Sequence, residues 1–194
     1  MARYRRLGLG ELFRFKCIRC DQCCGTGPNV SLTCFDAVRM ARFLDMGWRG
    51  FLKLYVNVIV ADIYPFMSIR GRGGRCPFLH SSPSGETLCI IYPARPLKCR
   101  LYPLVLTAPR PDALYLDQHC PGVGRDGERR PPRRLLEHYA WELGEHYQRL
   151  SRLLLEEKLE PLEALERLLD QAWREAAGGA RWADLDYIDQ LGQT

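Results

Sequence analysis

A chain of 194 residues with 46% apolar and 26% charged side chains carries enough apolar material for a folded core, which excludes wholesale disorder. Its net charge of +5 hides an asymmetry: residues 1–125 hold 18 Arg+Lys against 8 Asp+Glu, a difference of +10, while residues 126–194 hold 10 against 15, a difference of −5. No membrane span is expected, because even the most apolar stretch, residues 51–67, contains Lys53, Asn57 and Asp62, and a span needs roughly 20 nearly uncharged residues.

The chain opens on a basic run, Arg3, Arg5 and Arg6, in the manner of a secretory leader. Gly8, Gly10, Glu11 and Arg14 interrupt any apolar core, and no small-residue cleavage site follows. The expectation is a chain that starts at Met1 and stays in the cytoplasm. Thiols are kept reduced there, so nine cysteines point to metal ligation before disulfides, and their odd number agrees. Four of them, Cys17, Cys20, Cys23 and Cys24, form C-x2-C-x2-C-C. Thr33 follows as an N-cap, with Asp36 as the other half of a capping box. Phe35, Val38, Ala41 and Leu44 then continue at helical spacing. Residues 50–55 read as a second short helix, and residues 56–60 and 101–107 as short strands. Cys76, Cys89, Cys99 and Cys120 are scattered through this less regular part. Residues 121–132, rich in Gly, Pro and charge, read as a loop or linker. Beyond it Leu135, Leu136, Tyr139, Leu143, Tyr147, Leu150 and Leu154 recur every three or four residues, predicting a helix over 133–159. Pro161 suits the first turn of a second helix, lined by Leu162, Leu165, Leu168, Leu169 and Trp173 and ended by Gly178 and Gly179. The expected fold class is α+β, mostly α. An irregular cysteine-rich domain with a few short strands, residues 1–125, precedes an antiparallel helical hairpin packing on it, residues 126–194, with a short tail.

The cysteine spacing carries the chemistry. Two residues between cysteines let the chain turn so that both sulfurs face one site, and C-x2-C-x2-C wraps three thiolates around a cubic cluster, a fourth arriving from elsewhere. A zinc site more often pairs two short C-x2-C knuckles; this chain has a single compact segment and far-spaced distal cysteines, which favours iron–sulfur, of the 4Fe–4S kind, with zinc as the alternative. The candidate ligands are Cys17, Cys20, Cys23, Cys24, Cys76, Cys89, Cys99 and Cys120. Adjacent Cys23 and Cys24 diverge, so one division sends Cys17, Cys20 and Cys23 to one centre and Cys24 to another; one cluster with additional thiols is the other arrangement. Arg14, Lys16, Arg19, Arg75, Arg95, Lys98 and Arg100 neighbour these cysteines, and positive charge favours thiolates. Arg95 or Arg100 is expected to hold carbonyls or carboxylates around the site, with Asp36 as a candidate partner. Cys34, inside an amphipathic helix pattern, reads as a small core residue. His138, Glu142 and His146 share one helix face and read as a polar face rather than a metal site, and His119 as neither ligand nor proton carrier.

Phe15-Lys-Cys-Ile-Arg-Cys-Asp-Gln-Cys-Cys, then Leu32, Thr33 and Asp36, then Cys76-Pro-Phe-Leu, Cys89-Ile-Ile-Tyr, Arg95-Pro-Leu-Lys-Cys-Arg and Leu101-Tyr-Pro, resemble in order and approximate spacing the blocks of the CxxCxxCC, or YkgJ-like, family. The resemblance covers roughly residues 13–122 and implies zinc or iron chelation by the eight cysteines; relatives are often labelled iron–sulfur oxidoreductases, and flagellin lysine N-methylases carry a related pattern. Asp21 stands where many relatives have glycine. Three functions compete. A redox protein would use its arginine-rich surface to dock an acidic protein partner. A methyl-transfer role rests on the methylase resemblance alone, because Gly71, Gly73 and Gly74 do not sit in a strand–loop–helix pattern that would bind a nucleotide-like cofactor. A zinc-stabilised interaction module is the third; no nucleic-acid fold is recognisable, so no nucleic-acid partner is expected.

Overall fold

The computed structural model describes residues 3–25, 30–83 and 86–193. The expected start at Met1 lies outside the described residues.

Short strands β1 (Tyr4–Arg6) and β2 (Phe13–Phe15) precede a single helical turn, α1 (Gln22–Gly25). After β3 (Ser31–Leu32) the capping box forms as the sequence implies: the Thr33 hydroxyl accepts the Asp36 N–H at 3.1 Å, and the Asp36 carboxylate accepts the Thr33 N–H. It starts α2 (Cys34–Phe43), whose residues from Cys34 to Ala41 are all buried. α3 (Trp48–Tyr55) runs directly into β4 (Val56–Ala61), which turns through Asp62 into β5 (Tyr64–Ile69). β5 is the centre of a three-stranded antiparallel sheet, flanked by β3 and β4. The hairpin of β6 (Leu79–Ser81) and β7 (Thr87–Cys89) follows, then a 3-10 turn at Tyr92–Ala94 and α4 (Leu97–Leu101). The strand expected over 101–107 is confined to β8 (Leu104–Leu106), because α4 extends through Leu101. β9 (Leu114–Asp117) pairs with both β8 and β1.

The reading of 121–132 as a loop needs correction. Residues Val123–Arg129 form β10, which pairs antiparallel with β2 through a bulge between Val123 and Glu128. Gly124 and Asp126, both at positive φ, supply the bulge. Strand pairing is made by backbone groups, so a polar, glycine-containing stretch can join a ladder when a partner strand is held beside it.

α5 (Arg133–Ser151) ends in a π-helical turn at Arg152–Glu156, and Pro161 opens α6 (Pro161–Ala177), as the periodicity predicts. The chain does not trail off after Gly179. A 3-10 turn at Arg181–Ala183 leads to α7 (Leu185–Leu191), N-capped by Asp184. The described residues are 44% helical and 23% strand, a mixed α+β fold. None of their helices is long and apolar enough to cross a membrane.

Two apolar clusters share α5 as a spine. Its N-terminal half, through Leu135, Leu136 and Tyr139, packs with α4, β8, β9 and α7. Its C-terminal end, through Leu150, packs with α2, α3, β5 and α6. Both clusters draw residues from either side of residue 125. Between them along α5 lie Glu142 and His146, buried rather than on an open polar face. Arg39 bonds both carboxylate oxygens of Glu142, and also Asp36 at 2.7 Å and the Trp182 carbonyl at 3.0 Å. His138 Nε2 lies 3.1 Å from Glu142, and His146 Nδ1 accepts the Cys34 N–H at 3.2 Å. Every buried charge in this seam therefore has a partner, which is the condition for burying one at all. Cys34, at 0% exposure, is the core residue expected.

Candidate metal centre

The eight candidate cysteines come from five separate stretches of chain, and short backbone contacts tie those stretches together. β2 delivers Lys16, whose N–H donates to the Gly122 carbonyl at 3.0 Å, setting Cys17 beside the Cys120 loop. A Cβ on Gly122 would sit 2.3 Å from the Lys16 carbonyl oxygen, so only glycine permits this approach. Arg19 and Asp21 adopt positive φ and turn the chain back on itself. Asp tolerates that region better than most residues. Asp21 also works locally: its carbonyl accepts the Cys24 N–H at 2.8 Å, and its carboxylate pairs with Arg75 at 3.0 Å. Next to that pair, the Cys76 N–H donates to the Cys24 carbonyl at 2.7 Å. The Thr87 hydroxyl donates to the Arg19 carbonyl at 2.6 Å, bringing β7 and Cys89 alongside; in the hairpin ladder Cys89 lies opposite Leu79.

Cys99 rides on α4, and Asp36 fixes the start of that helix by accepting the Leu97 N–H at 3.1 Å. Asp117, almost wholly buried, organises the Cys120 loop. It accepts the His119 N–H at 3.1 Å and the Tyr102 hydroxyl at 3.4 Å, and pairs with Arg3 at 3.0 Å. His119 enters through its backbone, its carbonyl accepting from Gln22, with its side chain exposed.

The thiols are close enough to feel one another's charge, and Cys23 is the hub. It lies 3.6 Å from Cys24, sulfur to sulfur. Hydrogen bonding from Cys24 holds the Cys23 thiol down at about 7, and the same contact, with burial, pushes Cys24 far up. Burial raises Cys76, Cys89, Cys99 and Cys120 as well. The charges acting on Cys24 come from Cys23, Cys76 and Cys99; those on Cys99 include Asp36, Cys76, Cys89 and Cys23. Cys120 instead feels Cys20, Cys23 and Cys17. Two neighbourhoods emerge, Cys17–Cys20–Cys120 and Cys24–Cys76–Cys89–Cys99, with Cys23 between them. All nine cysteines are free thiols. Among the described residues, no three Cys, His, Asp or Glu side chains converge tightly enough to grip a single ion.

The arginines partly follow expectation. The Arg100 side chain is 5% exposed and pairs with Asp189 and the Pro93 carbonyl, and Arg95 stacks on Tyr92 while donating to its carbonyl at 2.7 Å. Both are structural. Neither meets Asp36, whose cation is Arg39; a helical neighbour at i+3 reaches it more directly than a residue across the site. Burial, then the Arg100 charge, lowers the Arg95 pKa.

Sequence reasoning missed Asp117 and Tyr102. The signal for Asp117 was a lone acid closing an apolar strand, three residues before Cys120.

Residues 16–121 match the family model CxxCxxCC, described as "Putative zinc- or iron-chelating domain". The chain belongs to the CxxCxxCC family. The match spans the five stretches assembled above, so metal binding by a cysteine cluster is the property the family and the geometry share. The chain is also 34% identical over 89 residues to the uncharacterized protein MJ0661 of Methanocaldococcus jannaschii, an alignment covering 46% of this chain and 44% of that protein. The chain thus matches less than half the length of this curated relative. No solved structure matches.

Proposed function

We propose that this CxxCxxCC protein holds iron–sulfur in its cysteine centre, ligated by Cys17, Cys20, Cys23, Cys24, Cys76, Cys89, Cys99 and Cys120, and uses it to pass electrons in an oxidoreductase reaction. The observation supporting this reading is that cysteines from five stretches of chain gather around Cys23, whose charge reaches Cys24, Cys76, Cys89, Cys99 and Cys120. A zinc ion needs four donors about 2.3 Å from one point, whereas a cluster distributes its thiolates over several irons and accepts donors set wider apart. The donor set fits: it is all thiol, with no competing carboxylate or imidazole assigned to it. When bound, the cluster supplies a one-electron couple. The protein's own residues do the rest. Arg19, Asp21 and Gly122 shape the loop, Asp36 and Asp117 anchor the turns carrying Cys99 and Cys120, and Arg95 and Lys98 offset thiolate charge. The basic excess of residues 1–125, 18 Arg+Lys against 8 Asp+Glu, suits an acidic protein partner, and a thiolate centre of this kind suits the reducing cytoplasm.

Anaerobic purification followed by iron, sulfide and zinc analysis tests the proposal. Brown protein absorbing broadly near 400 nm with acid-labile sulfide is expected, and Cys99→Ser should lower the iron per chain. Colourless protein with stoichiometric zinc overturns it.

A further inference from the structure

We infer that the face where the β2–β10 ribbon meets the Cys17–Cys20 loop docks an acidic electron-carrier protein, an inference that deepens the iron–sulfur reading above and rests on it for the partner's task. Of the eight candidate ligands only Cys17 and Cys23 are exposed; the other six are half-buried or buried. An electron crosses between proteins only over a short gap, so a carrier has to approach from this side. The chain places its unpaired positive charge there. Lys16 lies directly before Cys17 and Arg19 directly before Cys20, both exposed. The Gly122 carbonyl, on the Cys120 loop, accepts the Lys16 N–H at 3.0 Å and the Arg125 N–H at 3.4 Å, which sets those two residues side by side. Arg125 Nε donates to the Pro121 carbonyl at 2.9 Å, Arg14 Nε donates to the Asp126 carbonyl at 2.8 Å, and the Arg129 guanidinium lies 5.5 Å from the centre of the Phe15 ring. Carbonyls and a ring orient these guanidiniums without cancelling their charge.

Residues 14–19 and 121–130 together hold Arg14, Lys16, Arg19, Arg125, Arg129 and Arg130 against Asp126 and Glu128, six against two, a difference of +4. All six cations are exposed. On the other side of the centre the cations are already engaged, Arg75 with Asp21 and Arg100 with Asp189. A basic two-stranded ribbon is also a shape that enters a DNA groove. Asp126 and Glu128 decide between the two partners. They interrupt the cations along β10, and a phosphate backbone would meet both as repulsion. A protein surface of mixed charge sets its own cations opposite them. Ile18, 38% exposed between Cys17 and Arg19, adds an apolar contact at the middle of the face, as protein interfaces do.

Only four of the 28 basic residues are lysines, Lys16, Lys53, Lys98 and Lys158, so a zero-length carbodiimide, which joins a lysine amine to a carboxylate, reports the docking face by position. The probe is an acidic plant-type [2Fe–2S] ferredoxin, mixed anaerobically with the metal-loaded full chain. Peptide mapping should find the cross-link at Lys16. Calorimetry should show an affinity that weakens roughly tenfold or more between low salt and about 0.3 M salt. Arg129→Glu with Arg130→Glu should weaken it about tenfold at unchanged metal content and far-UV spectrum. Arg152→Glu, just past the opposite end of α5, should leave it as it was. Absence of binding, a cross-link confined to lysines other than Lys16, or a double variant that binds like the wild type overturns the inference. A DNA duplex bound more tightly than the ferredoxin, or a dimer of this chain forming in its place, assigns the face to another occupant and overturns it equally. Iron and sulfide analysis of the same sample tests the iron–sulfur reading by itself, so failure of the centre and failure of the face are told apart.

Discussion

Arg39→Met is the most informative single substitution in the seam between the two cores. The Arg39 side chain is 1% exposed and serves two carboxylates whose own exposures are 1% and 0%. Methionine fills a similar volume but leaves Asp36 and Glu142 buried together without a cation. Removing one partner of a buried ion pair costs about 3–5 kcal/mol. For a chain of this size each 1 kcal/mol lowers Tm by about 2–4 °C, so a fall on the order of 10 °C is expected. The pH dependence fixes the cause. In the native protein burial would raise Glu142, but Arg39 and His138 outweigh it and hold it below the ordinary carboxylate value. Asp36, having the poorer share of Arg39, is raised by burial. In the variant both carboxylates lie above their unfolded values, so the folded state binds protons that the unfolded chain releases, and its stability rises as pH falls. Urea unfolding of metal-loaded protein, followed by circular dichroism at pH 8 and pH 5, reads the deficit directly. It should be largest at pH 8 and shrink at pH 5. A deficit under about 1 kcal/mol at neutral pH, or one that grows on acidification, would refute the counter-charge role.

His146 is buried and held down at about 4 by desolvation. Its folded value lies below the unfolded one, so the unfolded chain gains the proton first, and stability falls between pH 6.5 and about 4 by as much as about 3 kcal/mol. His146→Asn, which keeps an acceptor for the Cys34 N–H, should flatten that slope in pH-dependent unfolding; equal slopes would contradict it. Gly122→Ala places a methyl against the Lys16 carbonyl and should cost about 1–3 kcal/mol and lower metal content. Gly144→Ala, which meets no atom within 4 Å and needs no left-handed backbone, should leave metal content unchanged. Cys34→Ala should retain all bound metal by elemental analysis while losing about 1 kcal/mol of stability; metal loss would make Cys34 a ligand. Metal removal should raise hydrogen exchange in residues 16–25, 70–93 and 117–125 while α2, α5 and α6 keep their protection, and equal exchange with and without metal would show a preformed site.

The helices of the C-terminal third were legible because their apolar stripes run over four or more turns, long enough for period 3.6 to stand out. The capping box of α2 was legible because it is local, three residues wide. α7 was not read, although Asp184 and the spacing of Leu185, Ile188 and Leu191 carry a signal; seven residues give it too little length. The polarity of Glu142 and His146 concealed their burial. They fall within the stripe Tyr139–Glu142–His146–Leu150, spaced three, four and four, so the helix turns them inward. What neutralises Glu142 is Arg39, 103 residues earlier, and no local pattern points across that distance. Spacing marked the cysteines as candidates, whereas which stretches meet depends on tertiary contacts such as Cys76 with Cys24.

Asp36 shows how the centre and the helical core are made one structure. Its position is dictated locally, as the third residue of a capped helix, where a carboxylate satisfies the Thr33 N–H. Once there, its other oxygen points out of α2 and accepts the Leu97 N–H, the first of α4, two residues before Cys99. The turn that presents Cys99 is thus anchored to a residue whose own place is set by α2, and α2 is set by α5 through Arg39 and Glu142. The same carboxylate adds to burial in raising the Cys99 thiol. Buried alone, the Asp36 carboxylate would be costly. Arg39 offsets that cost only in part, because both of its terminal nitrogens also bond Glu142. The stability of the helical core and the placing of Cys99 therefore depend on the same few residues.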